Sequence, residues 1–182
     1  MTSRLFLSGL LILYAYLILI VWSLARPQHR IWPPPKTPSW QFFIFWGLFY
    51  LGVGFSVVVM ALGWNQWRIP QEIRWWVGVP LCVLGGGLLV WGVRTLGLDN
   101  TQGKAAGFVK TGPYRFTRNP QYLGDIVMLL GVLLLANSLF TTVLLFLLIL
   151  SFILLPLPEE IWLEDRYGEP FLQYQSQIPR FL

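Results

Sequence analysis

Charged residues are scarce in this sequence of 182 residues. Lys, Arg, Asp and Glu together make up 12% of it, about half of the roughly 25% found in soluble domains, whereas hydrophobic residues make up 55%. This balance excludes a soluble globular domain. It indicates an all-α, polytopic membrane protein, because a helix satisfies its backbone hydrogen bonds within itself. The chain is predicted to form a single membrane domain, residues 1–182.

Cysteine and histidine each occur once. Cys82 lies within an apolar stretch, has no partner for an intramolecular disulfide, and is interpreted as a small buried apolar residue. The lone His29 excludes a multi-histidine metal site, so no metal is predicted. No glycine-rich fingerprint follows a strand, which excludes a Rossmann-type dinucleotide site.

The net charge of +5 does not indicate a nucleic-acid partner. The basic residues are spread through short loops between apolar stretches, as they are on the cytoplasmic side of membrane proteins. The sequence also carries no nucleic-acid-binding motif. The bilayer is therefore the predicted partner, and no nucleic acid is.

Five apolar stretches are long enough, or nearly so, to cross a bilayer as helices. For the first stretch the alternative is a signal peptide that ends at Ser23-Leu24-Ala25. A retained span is favoured, because the stretch is longer than a signal sequence needs and follows a lone Arg4. The last two stretches are separated by Asn137-Ser138 and predict a tight hairpin. The predicted spans are residues 5–25, 40–64, 75–93, 122–136 and 139–157, with short amphipathic cytosolic helices after them.

Five spans place the two termini on opposite sides of the membrane. Three of the 13 basic residues then fall on the side of the N-terminus and ten on the other side. Because cytoplasmic loops are enriched in Lys and Arg, the prediction is an N-terminus outside and a C-terminus in the cytoplasm.

Three consecutive glycines, Gly85-Gly86-Gly87, lie within the third predicted span. Each glycine in a helix lowers the stability of the helix by about 1 kcal/mol relative to alanine. The triple glycine therefore indicates that another group must approach the helix backbone closely at this point. Tight packing of another helix is one interpretation, and room for a ligand is the other.

Residues 112–124 form the densest polar and aromatic block of the sequence. Asn119-Pro120 predicts a helix start, because Asn is favoured as an N-cap and Pro suits the first helical position. The free N–H groups of that start and the Arg118 guanidinium would converge at the membrane edge, which favours an anionic ligand. Asp125 follows within the first turns of the span and should point inward or stay at the interface.

A second polar block follows the last predicted span. Glu159 and Glu160 are predicted in the first turn of a short helix that opens at Pro158 and stops at Gly168, and a further amphipathic helix covers residues 169–174. These carboxylates either complement the helix dipole or bind hydroxyl groups or a cation, and both interpretations stay open.

The two blocks fall on the same side of the predicted membrane. Arg118 suits a carboxylate or phosphate, whereas Glu159 and Glu160 suit hydroxyl groups. S-adenosylmethionine carries a carboxylate and ribose hydroxyls and would satisfy both blocks. The aromatic side chains that could cover its adenine are Tyr114, Phe116, Tyr122 and Trp162.

These residues carry a family resemblance over about half of the chain. Residues 112–124 (GPYRFTRNPQYLG) resemble the G-x-Y-x-x-x-R-H-P-x-Y-x-G segment of the isoprenylcysteine carboxyl methyltransferase and phospholipid methyltransferase superfamily. Glu159-Glu160, Gly168, Tyr174 and Pro179-Arg180-Phe181 resemble its C-terminal signature. Gly85 and Gly87 resemble a weaker G-x-G element in the preceding helix of the phospholipid members.

The resemblance implies an integral-membrane methyltransferase that uses S-adenosylmethionine. It implies that Tyr174 and Arg180 lie near the reacting end of the site, and Glu160 is the candidate base for an acceptor that must lose a proton. Asn119 stands where the isoprenylcysteine enzymes have His, which removes a protonatable group and slightly favours a different acceptor. The implied cofactor-binding residues are Gly85, Gly87, Tyr114, Arg118, Asn119, Pro120, Tyr122, Glu159 and Glu160.

The expected acceptor is lipidic or apolar and enters from the bilayer, but whether its reacting atom is O, N or S stays open, and no protein partner is predicted. Residues 75–182 are predicted as the catalytic core, and the two spans within residues 1–74 as packing or channel walls. Two alternatives remain. One is an NADPH-dependent reductase of the sterol-reductase type, with Lys104, Lys110 and Arg115 on the 2′-phosphate, and the other is a non-catalytic membrane scaffold.

Overall fold

The computed structural model describes residues 1–104 and 107–181, and within these ranges all regular secondary structure is helical. The predicted all-α class is thereby confirmed. Two short 3-10 turns, Pro27–His29 and Gly112–Arg115, lie in the connecting segments. The α-helices are α1 (Thr2–Ala25), α2 (Trp40–Leu62), α3 (Gln71–Leu96), α4 (Leu98–Thr101), α5 (Pro120–Ala136), α6 (Leu139–Leu154), α7 (Pro156–Tyr167) and α8 (Glu169–Gln177).

Four helical segments are long and apolar enough to cross a membrane. They are α1, α2, α3 and the nearly continuous run Leu139–Tyr167 formed by α6 and α7. The fourth predicted span, α5, has 17 residues, a length of about 25 Å at 1.5 Å per residue, and is slightly short for the hydrocarbon core.

The helix that carries the two glutamates begins earlier than its sequence predicts. It was expected to open at Pro158, but α7 begins at Pro156, and a single turn residue, Leu155, separates it from α6. Proline breaks the helical ladder here because it lacks an N–H and its ring clashes with the preceding turn. The predicted stop at Gly168 is confirmed, with a φ of 55° at that residue, and α8 runs three residues beyond its predicted end.

The connecting segments gather at two opposite ends of the helix bundle. At one end, the N–H of Asn65 donates to the carbonyl of Ala136 at 2.9 Å, which joins the α2–α3 link to the α5–α6 turn. At the other end, the Arg118 N–H donates to the Pro179 carbonyl at 2.9 Å. This second end, formed by residues 26–39, 97–104, 107–119 and 155–181, is called the loop end below.

Helices α3 and α5 pack through glycines spaced seven residues apart. A Cβ atom added to Gly85 would lie 2.3 Å from the backbone nitrogen of Met128, and one added to Gly124 would lie 2.8 Å from the Gly85 carbonyl oxygen. Gly87, by contrast, has no such neighbour within 4 Å and is exposed. Close helix packing is thus the role that the structure supports for Gly85. The seam consists of Gly78, Gly85 and Gly92 on α3 and Gly124 and Gly131 on α5.

Replacing Gly85 with alanine should destabilise the protein by about 1–3 kcal/mol, because the backbones of α3 and α5 must separate to admit the methyl group. Gly87→Ala is the matched control on the same helix, and it should be neutral or stabilising by up to about 1 kcal/mol through helix propensity. Thermal unfolding of the purified variants in detergent compares the two. Equal midpoints for both variants would contradict the packing described here.

Candidate functional site

A cleft opens in the loop end of the bundle, with about 750 Å³ of space including its mouth. Residues from both predicted motif blocks line it, and so does the segment between α1 and α2, residues 26–39, which is called the first connector below. The lining residues are Pro33, Leu96, Asn100, Thr101, Gly103, Gly107, Phe108, Val109, Tyr114, Arg118, Asn119, Gln121, Tyr122, Glu159, Trp162, Leu163 and Tyr167.

The Glu160 carboxylate lies between two guanidinium groups beside this cleft. It forms an ion pair with Arg118 Nη2, 3.0 Å away, and accepts, in a bidentate contact, from Arg180 Nε at 2.9 Å and Nη2 at 2.7 Å. Gln175 adds a further contact at 3.3 Å. The side chains of Arg118 and Glu160 are 10% and 9% exposed, and hydrogen bonding to Glu160 raises the pKa of Arg180. The oxygens of Glu160 are thus already occupied, and this residue does not line the cleft.

Arg118, which lines the cleft, keeps one unmet buried donor. Its Nη1 donates to the carbonyl of Gln175 at 2.9 Å, and Nη2 is paired with Glu160. The buried Nε–H has no acceptor among the residues that the structure describes. Because an unmet buried donor costs about 1–3 kcal/mol, this atom favours a ligand that supplies an acceptor such as a carboxylate.

Glu159 presents the complementary chemistry in the same cleft. Its Oε1 accepts from Trp32 Nε1 at 2.6 Å and from the hydroxyl of Tyr122. Within residues 1–104 and 107–181, no hydrogen bond reaches its other oxygen. Two donors therefore hold the carboxylate in place, while one oxygen stays open for the hydroxyl groups of a ligand.

Trp32 is a site residue that the sequence analysis did not identify. The prolines of residues 26–39 predict a stiff, extended connector whose tryptophans suit the membrane interface, and the predicted site lies within residues 75–182. Instead, Trp32 is buried, stacks on Phe45 with ring centroids 4.3 Å apart, and bonds to Glu159. The first connector thus contributes directly to the site, and its proline-rich sequence gave no sign of this contact.

Aromatic side chains cover one side of the cleft. Tyr114, Tyr122 and Trp162 lie there as predicted, whereas Phe116 is 63% exposed and does not line the cleft. Phe108 and Tyr167, which the motif analysis missed, form a stacked pair in the wall with centroids 5.1 Å apart. Such faces suit a flat heterocycle.

Asn119 and Pro120 begin α5 where the sequence places them, but not by the predicted cap. Pro120 occupies the first turn, yet the Asn119 side chain makes no capping bond. Its Nδ2 donates instead to the carbonyl of Arg180 at 3.1 Å, while the residue lines the cleft. The side chain therefore ties the C-terminal tail to the helix start.

Four of the predicted site residues lie outside the cleft lining in addition to Glu160 and Pro120. Tyr174 donates from its hydroxyl to the Tyr114 carbonyl at 2.7 Å, and burial raises the pKa of Tyr174 to about 12, so that it stays protonated. Arg180 is engaged by Glu160, and Gly85 and Gly87 lie along α3. The roles of these residues in catalysis or cofactor binding stay predictions, and their contacts indicate packing and positioning.

The fold and the cleft together define a class: an all-helical integral-membrane protein with a polar and aromatic cleft at one end of its bundle. The family described as phospholipid methyltransferase matches residues 73–170, more than half of the chain. The chain belongs to this phospholipid methyltransferase family. No curated protein and no solved structure matches it. The predicted superfamily is thereby confirmed.

Proposed function

We propose that this protein transfers the methyl group of S-adenosylmethionine to a lipidic or apolar acceptor at the cytosolic face of the membrane. Methyltransferases of this family generally use that cofactor. The observation that best supports the proposal is the pairing of two unmet groups at one cleft, the Nε–H of Arg118 and the open oxygen of Glu159. These groups complement a carboxylate and vicinal hydroxyls.

The residues of the cleft complement the carboxylate, the ribose and the adenine of the cofactor. Arg118 would hold the carboxylate of the methionine part, Glu159 would accept from the ribose hydroxyls, and Trp162 in the cleft lining would offer a face for adenine. The bound cofactor supplies an activated methyl group on a sulfonium. The task of the chain is then mainly to hold both reactants in line, which is where most of the rate enhancement of such a displacement arises.

Glu160 fits a positioning role in this proposal better than the role of a base. An ion pair with Arg118 and three hydrogen bonds from Arg180 and Gln175 occupy its carboxylate. A base must reach the proton that it removes, within about 2.6–3.2 Å, and Glu160 does not line the cleft. Its contacts instead fix the guanidinium of Arg118.

The proposed orientation places the loop end in the cytoplasm and the N-terminus outside. Nine of the 13 basic residues lie in the segments that form this end, and the enrichment of Lys and Arg in cytoplasmic loops supports that orientation. A water-soluble cofactor would then enter from the cytoplasm.

The reductase alternative is less well supported by the contacts of its expected phosphate ligands. Lys104 is paired with Asp99 at 2.8 Å, and Lys110 donates to the carbonyl of Pro170 at 3.2 Å. The third expected phosphate ligand, Arg115, lies over the ring of Phe116. The scaffold alternative gives no reason for the unmet groups of the cleft.

Ligand-induced stabilisation separates the three candidate functions. S-adenosylhomocysteine at 100 times its dissociation constant should stabilise the purified protein by about 2.7 kcal/mol, and NADPH at the same concentration should not. Thermal unfolding in detergent measures both. Stabilisation by NADPH alone would favour the reductase, and no response to either ligand would favour the scaffold.

Trp32→Phe should weaken S-adenosylhomocysteine binding about tenfold, because the Glu159 carboxylate loses one of the two donors that hold it. Phenylalanine retains an aromatic face against Phe45, so the fold should persist. Trp40→Phe, at an exposed tryptophan outside the cleft, is the control. Isothermal titration compares the variants, and unchanged affinity in Trp32→Phe would argue against an anchoring role for this indole.

A further inference from the structure

A second cavity lies within the membrane-spanning part of the bundle, between α2 and α5. It encloses about 750 Å³ including its mouth, and helix α6 forms its floor. Its walls are apolar apart from Ser56 and Asp125, and Val57 at its rim is 51% exposed. This cavity is called the lateral groove below. Because its mouth lies along membrane-spanning helices, a lipid-like molecule is the occupant that the surroundings provide.

Asp125 lines the lateral groove without a partner. No hydrogen bond or ion pair reaches its carboxylate from residues 1–104 or 107–181. Arg74, a buried basic residue of α3, by contrast donates to Asn65 and to the Leu135 carbonyl, and only its Nε lacks an acceptor among the described residues. An acidic group within a membrane is costly unless it is paired, and such groups commonly mark ligand sites. The missing partner is therefore a cation or a hydrogen-bond donor.

The inner part of the lateral groove adjoins the cleft. Tyr122, which bonds to Glu159 in the cleft, precedes Asp125 on α5 by three residues and so lies on the same face of the helix. Phe152 lines the groove and stacks on Tyr122 with centroids 5.9 Å apart. A molecule in the groove could thus present its polar end close to the cofactor cleft.

We propose that the lateral groove binds the apolar chain of the methyl acceptor and that Asp125 selects its polar end. The proposal rests on the proposed function and adds a specificity-determining residue to it. Because the polar end must complement the Asp125 carboxylate, the occupant is an amphiphile of the bilayer, with one or more chains, whose polar end is cationic and donates hydrogen bonds. A carboxylate end would be repelled by Asp125, so carboxylate-ended acceptors are disfavoured.

Two fluorescent probes with the same alkyl chain, one ending in a primary amine and one in a carboxylate, test the selection. In nanodiscs of phosphatidylcholine at pH 7, the full-length protein should bind the amine probe about tenfold more tightly or better. This preference would oppose the net charge of the chain, +5, which favours the carboxylate probe. Asp125→Asn should remove the preference, whereas Asp99→Asn, at an exposed acid outside the groove, should keep it.

A second pair of variants tests the groove independently of charge. Val57→Trp should fill the mouth and lower the affinity for both probes about tenfold, whereas Val83→Trp, on an exposed position of α3 outside the groove, should leave both unchanged. An amine preference that is absent in the native chain, or that survives in Asp125→Asn, would overturn the proposal. So would unchanged probe binding in Val57→Trp.

Binding of S-adenosylhomocysteine, measured in the same preparations, keeps the two proposals distinguishable. Asp125→Asn and Val57→Trp should retain native affinity for it, because neither residue lines the cleft. A native chain that selects the amine probe but does not bind S-adenosylhomocysteine would support the groove and contradict the proposed function. Normal S-adenosylhomocysteine binding without probe selection would overturn the groove proposal alone.

Discussion

Glu159→Gln is expected to lower the affinity for S-adenosylhomocysteine by about 10- to 100-fold, the equivalent of a lost hydrogen bond to a charged group. The amide oxygen can still accept from Trp32 and Tyr122, so the fold should be retained. The second carboxylate oxygen becomes an NH₂ group, which cannot accept from a ribose hydroxyl. Titration calorimetry on the purified variant measures the change.

Glu164→Gln provides the matched control for this result. Glu164 lies on the same helix, α7, is exposed, and does not line the cleft. Its substitution should leave the affinity unchanged. If both variants bind as the native chain does, the assignment of Glu159 to the ligand is wrong.

Glu160→Ala should destabilise the protein by about 3–5 kcal/mol, since it leaves the nearly buried Arg118 guanidinium without its counter-charge. Arg180 loses its acceptor as well, and with it a contact between the C-terminal tail and α7. Thermal unfolding should show a much lower midpoint for this variant than for Glu164→Ala, in which an exposed carboxylate is removed.

Glu160→Gln distinguishes positioning from proton transfer. The amide preserves the shape and part of the hydrogen bonding of the cluster, so a positioning residue should show weakened cofactor affinity with a pH–rate profile of native shape. Loss of an ionisation from the pH dependence of kcat would instead restore Glu160 as a base. Native stability and native turnover in Glu160→Ala would contradict both roles.

Local chemistry explains which parts of the fold the sequence predicts well. Asn119-Pro120 and Gly168 mark helix boundaries because their backbone preferences act within a few residues. The membrane spans follow from the length and hydropathy of each apolar stretch. The sequence predicts the start of α7 two residues too late, because Pro156 and Pro158 both permit a helix to begin there and the sequence does not show which of them does.

Long-range contacts explain what the sequence does not predict. Trp32 and Glu159 are 127 positions apart, and nothing in a proline-rich connector indicates which carboxylate it will meet. The two motif blocks together predict that Arg118, Glu159 and Glu160 lie near one another. They do not predict that the two glutamates differ in role, because this difference depends on Arg180, which the fold brings to Glu160. The seven-residue spacing of Gly78, Gly85 and Gly92 in the sequence does indicate a packing role for Gly85.

Transfer of a labelled methyl group in membranes tests the central claim most directly. Membranes that contain the native protein, Glu159→Gln, or no added protein would be incubated with S-adenosylmethionine labelled in its methyl group, and the lipid fraction would be extracted. The account predicts label in an apolar product with the native protein and far less with Glu159→Gln. Equal labelling of the lipid fraction in all three preparations, despite comparable protein levels in the first two, would contradict it.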